Sequence, residues 1–157
     1  MSAPRIGKPV SDIKLQLTGD QTVRLSDFKG KNVVLYFYPK DNTSGCTLEG
    51  QNFRDAFQKF KRRNTVILGV SRDSLASHEK FREKQEFPFD LVCDADEKLC
   101  RKFDVIKEKN MYGKKVMGIE RSTFILDDEG VLRAEFRKVK VPGHVDAVLD
   151  EINKLKK

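Results

Sequence analysis

The run Val33-Val34-Leu35-Tyr36-Phe37-Tyr38 constrains the fold more than any other part of the chain. Its continuous apolar, β-branched and aromatic character reads as a strand buried on both faces rather than a strand with one wet side. Pro39 ends it. Such a strand needs cover above and below. The sequence supplies that cover directly. After Thr43 the period changes, and Phe53, Ala56, Phe57 and Phe60 recur at helical spacing among Arg54, Asp55, Lys59 and Arg62. Thr65 to Val70 predicts the next buried strand, and Ser74 a cap for a helix from Leu75 to about Gln85.

The flanking segments complete an α/β order. Ile13, Leu15 and Leu17 alternate with polar residues as in a half-buried strand, Gly19-Asp20 signals a turn, and Val23-Arg24-Leu25 can return as a second strand. Phe89 to Val92 predicts a short strand, with Asp94 capping a helix over Glu97 to Phe103. Lys107 to Gly118 reads as a polar loop with two glycines. Ser122 to Leu126 predicts a strand, Asp127-Asp128-Glu129-Gly130 a hairpin turn, and Val131 to Phe136 its return. Val145, Val148, Leu149, Ile152 and Leu155 form the apolar stripe of a last amphipathic helix. Residues 1–157 therefore predict one α/β unit, without repeat or linker.

Bulk properties exclude several classes. No apolar run approaches the roughly 18 residues of a membrane span, and the start Met1-Ser2-Ala3-Pro4-Arg5 lacks the apolar core of a secretory signal. Three cysteines, an odd number, point to a reducing compartment, here read as the cytoplasm, rather than to a disulfide framework. The formal charge is +7. The basic residues are interleaved with acidic ones, and the densest patches, Lys59 to Arg63 and Lys154 to Lys157, fall at predicted helix C-termini, where cations suit the helix dipole. Nucleic acid is therefore not an expected partner, nor is a membrane. No glycine-rich nucleotide loop occurs. His78 and His144 have no metal-like spacing and read as surface residues, so neither a cofactor nor a metal is expected.

Cys46 stands between the central strand and the helix that follows, at the end of Pro39-Lys40-Asp41-Asn42-Thr43-Ser44-Gly45-Cys46. A helix start offers unpaired N–H groups and a partial positive charge, both of which favour a thiolate. An ordinary thiol with pKa near 8.5 is only roughly 3% ionised at pH 7. Lowering that value by about 2.5 units multiplies the anion about thirtyfold, but the Brønsted slope of about 0.4–0.5 takes back roughly one log unit of nucleophilicity. Ionisation alone is thus a few-fold effect, and a catalyst built on this sulfur must also align its substrate and stabilise a leaving group.

The motif Pro39-x-x-x-Thr43-x-x-Cys46 resembles the active-site signature of the peroxiredoxins. Leu25 to Lys31, Gly69-Val70-Ser71-Arg72-Asp73-Ser74 and Glu120-Arg121-Ser122-Thr123-Phe124-Ile125-Leu126 extend the likeness. Over essentially the whole chain it resembles the peroxiredoxin Q (bacterioferritin comigratory protein) subfamily. That resemblance implies a thioredoxin-like fold with an N-terminal β-hairpin extension and a central mixed sheet flanked by helices. It also implies reduction of hydrogen peroxide and organic hydroperoxides by a cysteine that becomes a sulfenic acid. In this reading Thr43 and the Cys46 N–H hold the peroxide, Arg121 stabilises the thiolate and the departing oxygen, Pro39 shields the sulfur from water, and Glu49 helps to hold Arg121.

The sequence departs from the subfamily where a resolving cysteine would stand. Gln51 occupies the position five residues after Cys46, and the segment Leu75 to Lys84 has no cysteine. Cys93 and Cys100 read as buried packing residues. The expectation is a one-cysteine cycle whose sulfenic acid is reduced by an external thiol, either glutathione with or without glutaredoxin, or thioredoxin. A two-cysteine cycle through Cys93 or Cys100, or an added redox-relay or chaperone role, is the alternative. Resemblance favours a monomer. A thioredoxin-type exchanger would need Cys-x-x-Cys, but Glu49 stands there; a glutathione-peroxidase-like site would use a Trp, and the chain has none.

Overall fold

The computed structural model describes residues 3–155. The end of the basic tail, Lys156 and Lys157, lies outside the described residues. Seven strands form one mixed sheet in the order β2-β1-β5-β4-β3-β8-β9. They are β1 (Lys14–Leu17), β2 (Gln21–Arg24), β3 (Asn32–Phe37), β4 (Thr65–Ser71), β5 (Asp90–Cys93), β8 (Ser122–Leu126) and β9 (Leu132–Phe136). Strands β3, β4 and β5 run parallel, while β8 joins β3 antiparallel and β9 joins β8 antiparallel. The β1–β2 hairpin extends the far edge, touching β5 at Leu17–Val92. This is the thioredoxin-like mixed sheet with an N-terminal hairpin.

The central run sorts its side chains by strand period. Val33, Leu35 and Phe37 join one core with Leu99 and Cys100 of α4 (Lys98–Lys102) and with Phe103, which follows it. Val34, Tyr36 and Tyr38 join the other, with Phe53 of α1 (Ser44–Asp55), Phe60 of α2 (Phe57–Arg62), Phe81 of α3 (Leu75–Gln85), and Val145, Val148 and Ile152 of α5 (His144–Leu155). Every side chain from Val33 to Tyr38 is at most 3% exposed, as a strand sandwiched between helices demands.

Some expectations need correction. The single helix expected after Thr43 is two, α1 and α2, separated at Ala56 (φ −95°, ψ 2°). The expected loop 107–118 is a hairpin of β6 (Ile106–Met111) and β7 (Lys114–Ile119), turning through Tyr112 and Gly113, both at positive φ. Most of its residues are exposed or half-exposed, so no apolar alternation announces its strands. His78 and His144 are buried rather than superficial, because each ring finds polar partners inside. Cys93 is half-buried rather than buried, with its Sγ 3.3 Å from the Asp73 carbonyl oxygen. Among the described residues no helix is long and apolar enough to cross a membrane.

Candidate active site

The parallel strand β3 delivers the chain to the carboxyl edge of the sheet, where open α/β sheets build their sites. Half-buried Pro39 follows Tyr38, and Asp41 and Asn42 turn the chain, with Asn42 in the left-handed region (φ 66°). Thr43 is the extended residue before α1 (φ −80°, ψ 154°), but its hydroxyl donates to the Lys40 carbonyl at 2.8 Å instead of capping the helix. The first intrahelical bond is Thr47 N–H to the Thr43 carbonyl, at 2.9 Å. The N–H groups of Ser44, Gly45 and Cys46 therefore precede the ladder and face the helix start, where a negative charge is favoured.

Cys46 and Glu49 stand three residues apart on one face of α1, and both are buried. Arg121, between β7 and β8, reaches across to both. Its Nη2 lies 3.4 Å from Cys46 Sγ, and its Nη1 donates to Glu49 Oε1 at 2.6 Å. One forked guanidinium thus bridges the thiol and the carboxyl, an arrangement that a lysine's single ammonium would not reproduce. Burial acts to lower the Arg121 pKa, but the neighbouring Glu49 and Cys46 outweigh it and hold the guanidinium above its ordinary value.

Glu49 is the anomaly of the site. It is fully buried, and its second oxygen, Oε2, has no hydrogen-bond partner. Burial raises its pKa from 4.5 to about 7, outweighing the attraction of Arg121. On the side of that open oxygen stands His144, whose Nε2 lies 3.9 Å from Oε2 and 2.7 Å from the Thr123 hydroxyl. Burial lowers the His144 pKa from 6.5 to about 4, with Arg121 adding to the effect.

Of the five residues singled out in sequence, Cys46, Glu49 and Arg121 are joined by direct contacts. Thr43 and Pro39 frame the entry to α1 without a side-chain hydrogen bond to those three. Two neighbours escape a sequence reading. His144 lies in the predicted helix but signals nothing by its spacing. Gly45 sits where a Cβ would come within 3.1 Å of Arg121 Nη2, so its missing side chain lets the guanidinium approach. A glycine in the first turn, where a helix gains nothing from it, is the signal that could have found this position.

Comparison with known proteins places the chain. The model described as the AhpC/TSA family matches residues 6–135. Peroxiredoxin Bcp of Xanthomonas campestris is 56% identical over 138 residues, spanning 88% of this chain and 86% of that protein. Peroxiredoxin Bcp of Bacillus subtilis is 51% identical over 147 residues, 94% of each. The fold superposes with a TM-score of 0.88 on the Xanthomonas campestris bacterioferritin comigratory protein, at 53% identity over 92% of each chain. That structure was solved for insight into alkyl peroxide reduction, from trapped intermediate and ligand complexes. The chain belongs to the AhpC/TSA family. Within it, this is a peroxiredoxin of the peroxiredoxin Q (bacterioferritin comigratory protein) type, a thiol-dependent hydroperoxide reductase.

Proposed function

We propose that Cys46 is the peroxidatic thiolate of a one-cysteine cycle acting on hydrogen peroxide and organic hydroperoxides. The sulfur attacks the terminal peroxide oxygen; an S–O bond forms as the O–O bond breaks, and the departing oxygen leaves as alkoxide or hydroxide and takes up a proton. Thr43 and the first-turn N–H groups of α1 orient the peroxide. Arg121 holds the sulfur and stabilises the charge that builds on the leaving oxygen, where a fixed charge in a dry site does most for a transition state. Glu49 holds Arg121, and Pro39 keeps water from the sulfur without presenting an N–H of its own. The observation that carries this reading is Arg121 lying within reach of both Cys46 Sγ and Glu49.

The sulfenic acid is then reduced by external thiol, glutathione with or without glutaredoxin, or thioredoxin. The first thiol forms a mixed disulfide and releases water, and the second frees Cys46. Two features support the single-cysteine cycle. Helices α1 and α3 carry no cysteine besides Cys46. Cys100 is fully buried, and its thiol is pushed well up by burial, with Asp94 adding to the effect, so it is a poor nucleophile. Half-buried Cys93 is the thiol through which a two-cysteine cycle would run. The three unpaired cysteines fit a reducing, cytoplasmic setting, and the chain acts as one domain and a monomer.

The intact mass after one equivalent of peroxide, without added thiol, tests the cycle. A gain of one oxygen atom, absent in Cys46→Ser, is expected. Loss of two hydrogens, the mark of an internal disulfide, contradicts it and turns attention to Cys93.

A further inference from the structure

A buried polar cluster distinct from the Cys46–Glu49–Arg121 bridge lies at the loop that carries Pro39 and Thr43. Asp41 is only 5% exposed and His78, on α3, is 0% exposed. Asp41 Oδ1 accepts the Tyr38 hydroxyl at 2.6 Å. Its Oδ2 accepts the Ser77 hydroxyl at 2.8 Å and lies 2.8 Å from His78 Nδ1. The other ring nitrogen, Nε2, lies 2.9 Å from the Val92 carbonyl oxygen on β5. The Asp41 N–H donates to Asp73 Oδ2 at 2.8 Å, and that oxygen also accepts the Ser71 hydroxyl at 2.5 Å.

Counting hydrogens defines the pair. The Val92 carbonyl can only accept, so Nε2 carries a hydrogen. The contact between Nδ1 and Asp41 Oδ2 needs a second hydrogen, and a neutral imidazole has one in total. Asp41 and His78 therefore share one proton more than a carboxylate and a neutral ring would hold. The shared hydrogen lies between Asp41 Oδ2 and His78 Nδ1, while Oδ1 receives the Tyr38 hydroxyl and Oδ2 also the Ser77 hydroxyl. The result is a buried acid–histidine pair with both oxygens and both nitrogens hydrogen-bonded.

The pair's place in the chain suggests its use. Asp41 is two residues before Thr43 and five before Cys46. Main chain and side chain of Asp41 tie the loop to Tyr38 just after β3, to the segment after β4, to α3 and, through His78, to β5. On the opening side, Thr43 ties back to Lys40. Asp41, Asp73 and His78 also place three potential metal-binding atoms within 4.8 Å of one another. Each residue is already committed to a protein hydrogen bond there, so the cluster reads as a clamp rather than a metal site.

We propose that Asp41 and His78 are positioning residues for peroxide reduction: their buried pair clamps the loop between β3 and α1, and so sets where Thr43 and the first turn of α1 stand relative to Arg121. The proposal rests on the reading of Cys46, Thr43 and Arg121 given above. A displacement of about 1 Å at a reacting centre can cost up to about a hundredfold in rate.

The test is single-turnover stopped-flow reaction of reduced enzyme with hydrogen peroxide, beside circular dichroism and melting temperature. Asp41→Ala and His78→Phe, folded by circular dichroism, are expected to lose about tenfold or more of the second-order rate constant. Asp41→Asn should recover most of it, because its carboxamide can donate to Nδ1 of a neutral ring while Nε2 still meets Val92. Should both truncations fail to fold, Ser77→Ala carries the test with a several-fold loss. A folded Asp41→Ala, or in their absence Ser77→Ala, that melts lower yet reacts at the wild-type rate overturns the proposal. Cys46→Ser separates the levels: if it still consumes peroxide, the reading of the site itself has failed.

Discussion

Two buried histidine–carboxylate pairs flank the start of α1, and they are finished differently. Asp41 and His78 meet at 2.8 Å, with both carboxylate oxygens and both ring nitrogens engaged. Glu49 and His144 stand 3.9 Å apart, with Oε2 of the acid left open and Nε2 of the ring turned to Thr123. The first pair has a hydrogen-bond partner for every polar atom. In the second, burial favours the neutral form of each partner, raising the acid and lowering the base. Only the second pair touches Arg121, and through it Cys46. A satisfied pair suits a clamp; the second pair instead gives one carboxyl oxygen to the guanidinium that contacts the sulfur.

The largest expected difference is in stability. Asp41→Ala removes one partner of a fully bonded buried pair, and such a break typically costs about 3–5 kcal/mol. Glu49→Gln keeps the shape of a carboxyl that burial has already brought close to neutrality, and should cost clearly less. Urea unfolding at pH 7 makes the comparison, and equal losses would erase the distinction between the pairs.

The second difference is in pH dependence. Glu49 ionises near 7 in the folded chain against 4.5 ordinarily, so its contribution to stability is present below pH 4.5 and is lost as pH rises toward 7. His144 protonates near 4 against 6.5, so its contribution is present above pH 6.5 and is lost as pH falls toward 4. Between about pH 4.5 and 6.5 the two slopes oppose and nearly cancel. Single substitutions should separate them. Glu49→Gln leaves stability rising with pH across this window, and His144→Gln leaves it falling, each by up to about 3 kcal/mol at full shift. Slopes of the same sign in the two variants would show that the groups do not titrate as the pair requires.

The smallest effect belongs to Gly45. Its added methyl in Gly45→Ala would meet Arg121 Nη2 at 3.1 Å, so peroxide turnover should fall a few-fold with little change in melting temperature. An unchanged rate would show that the guanidinium can shift without consequence.

The fold and the site were legible to different depths. The run Val33 to Tyr38 and the stripe of α5 announce themselves because each packs chiefly into an apolar core and local period encodes the burial. Cys46, Thr43 and Pro39 lie in one short motif, while Arg121 and Glu49 were found by resemblance and are brought to Cys46 by the order of the sheet. The two histidines look like surface residues in the sequence, and are buried, for a physical reason. A buried ring is held by partners distant in sequence, Asp41 and Val92 for one and Thr123 for the other, and no local period records them. The hairpin 106–119 was missed for the converse reason, since strands wet on most sides lack the alternation that marks a sheet. Its turn residue Gly113 was the one available sign.

The most direct measurement is the second-order rate constant of the reduced protein with hydrogen peroxide, by stopped flow, in wild type, Arg121→Lys and Arg121→Ala. Removing a fixed charge from the site of charge development typically costs about a hundredfold or more, so Arg121→Ala should fall by that order. Arg121→Lys should recover little of it, because one ammonium cannot span Cys46 and Glu49 together. An Arg121→Ala enzyme that reduces peroxide at the wild-type rate would contradict the assignment of the guanidinium, and with it the bridge on which the site is built.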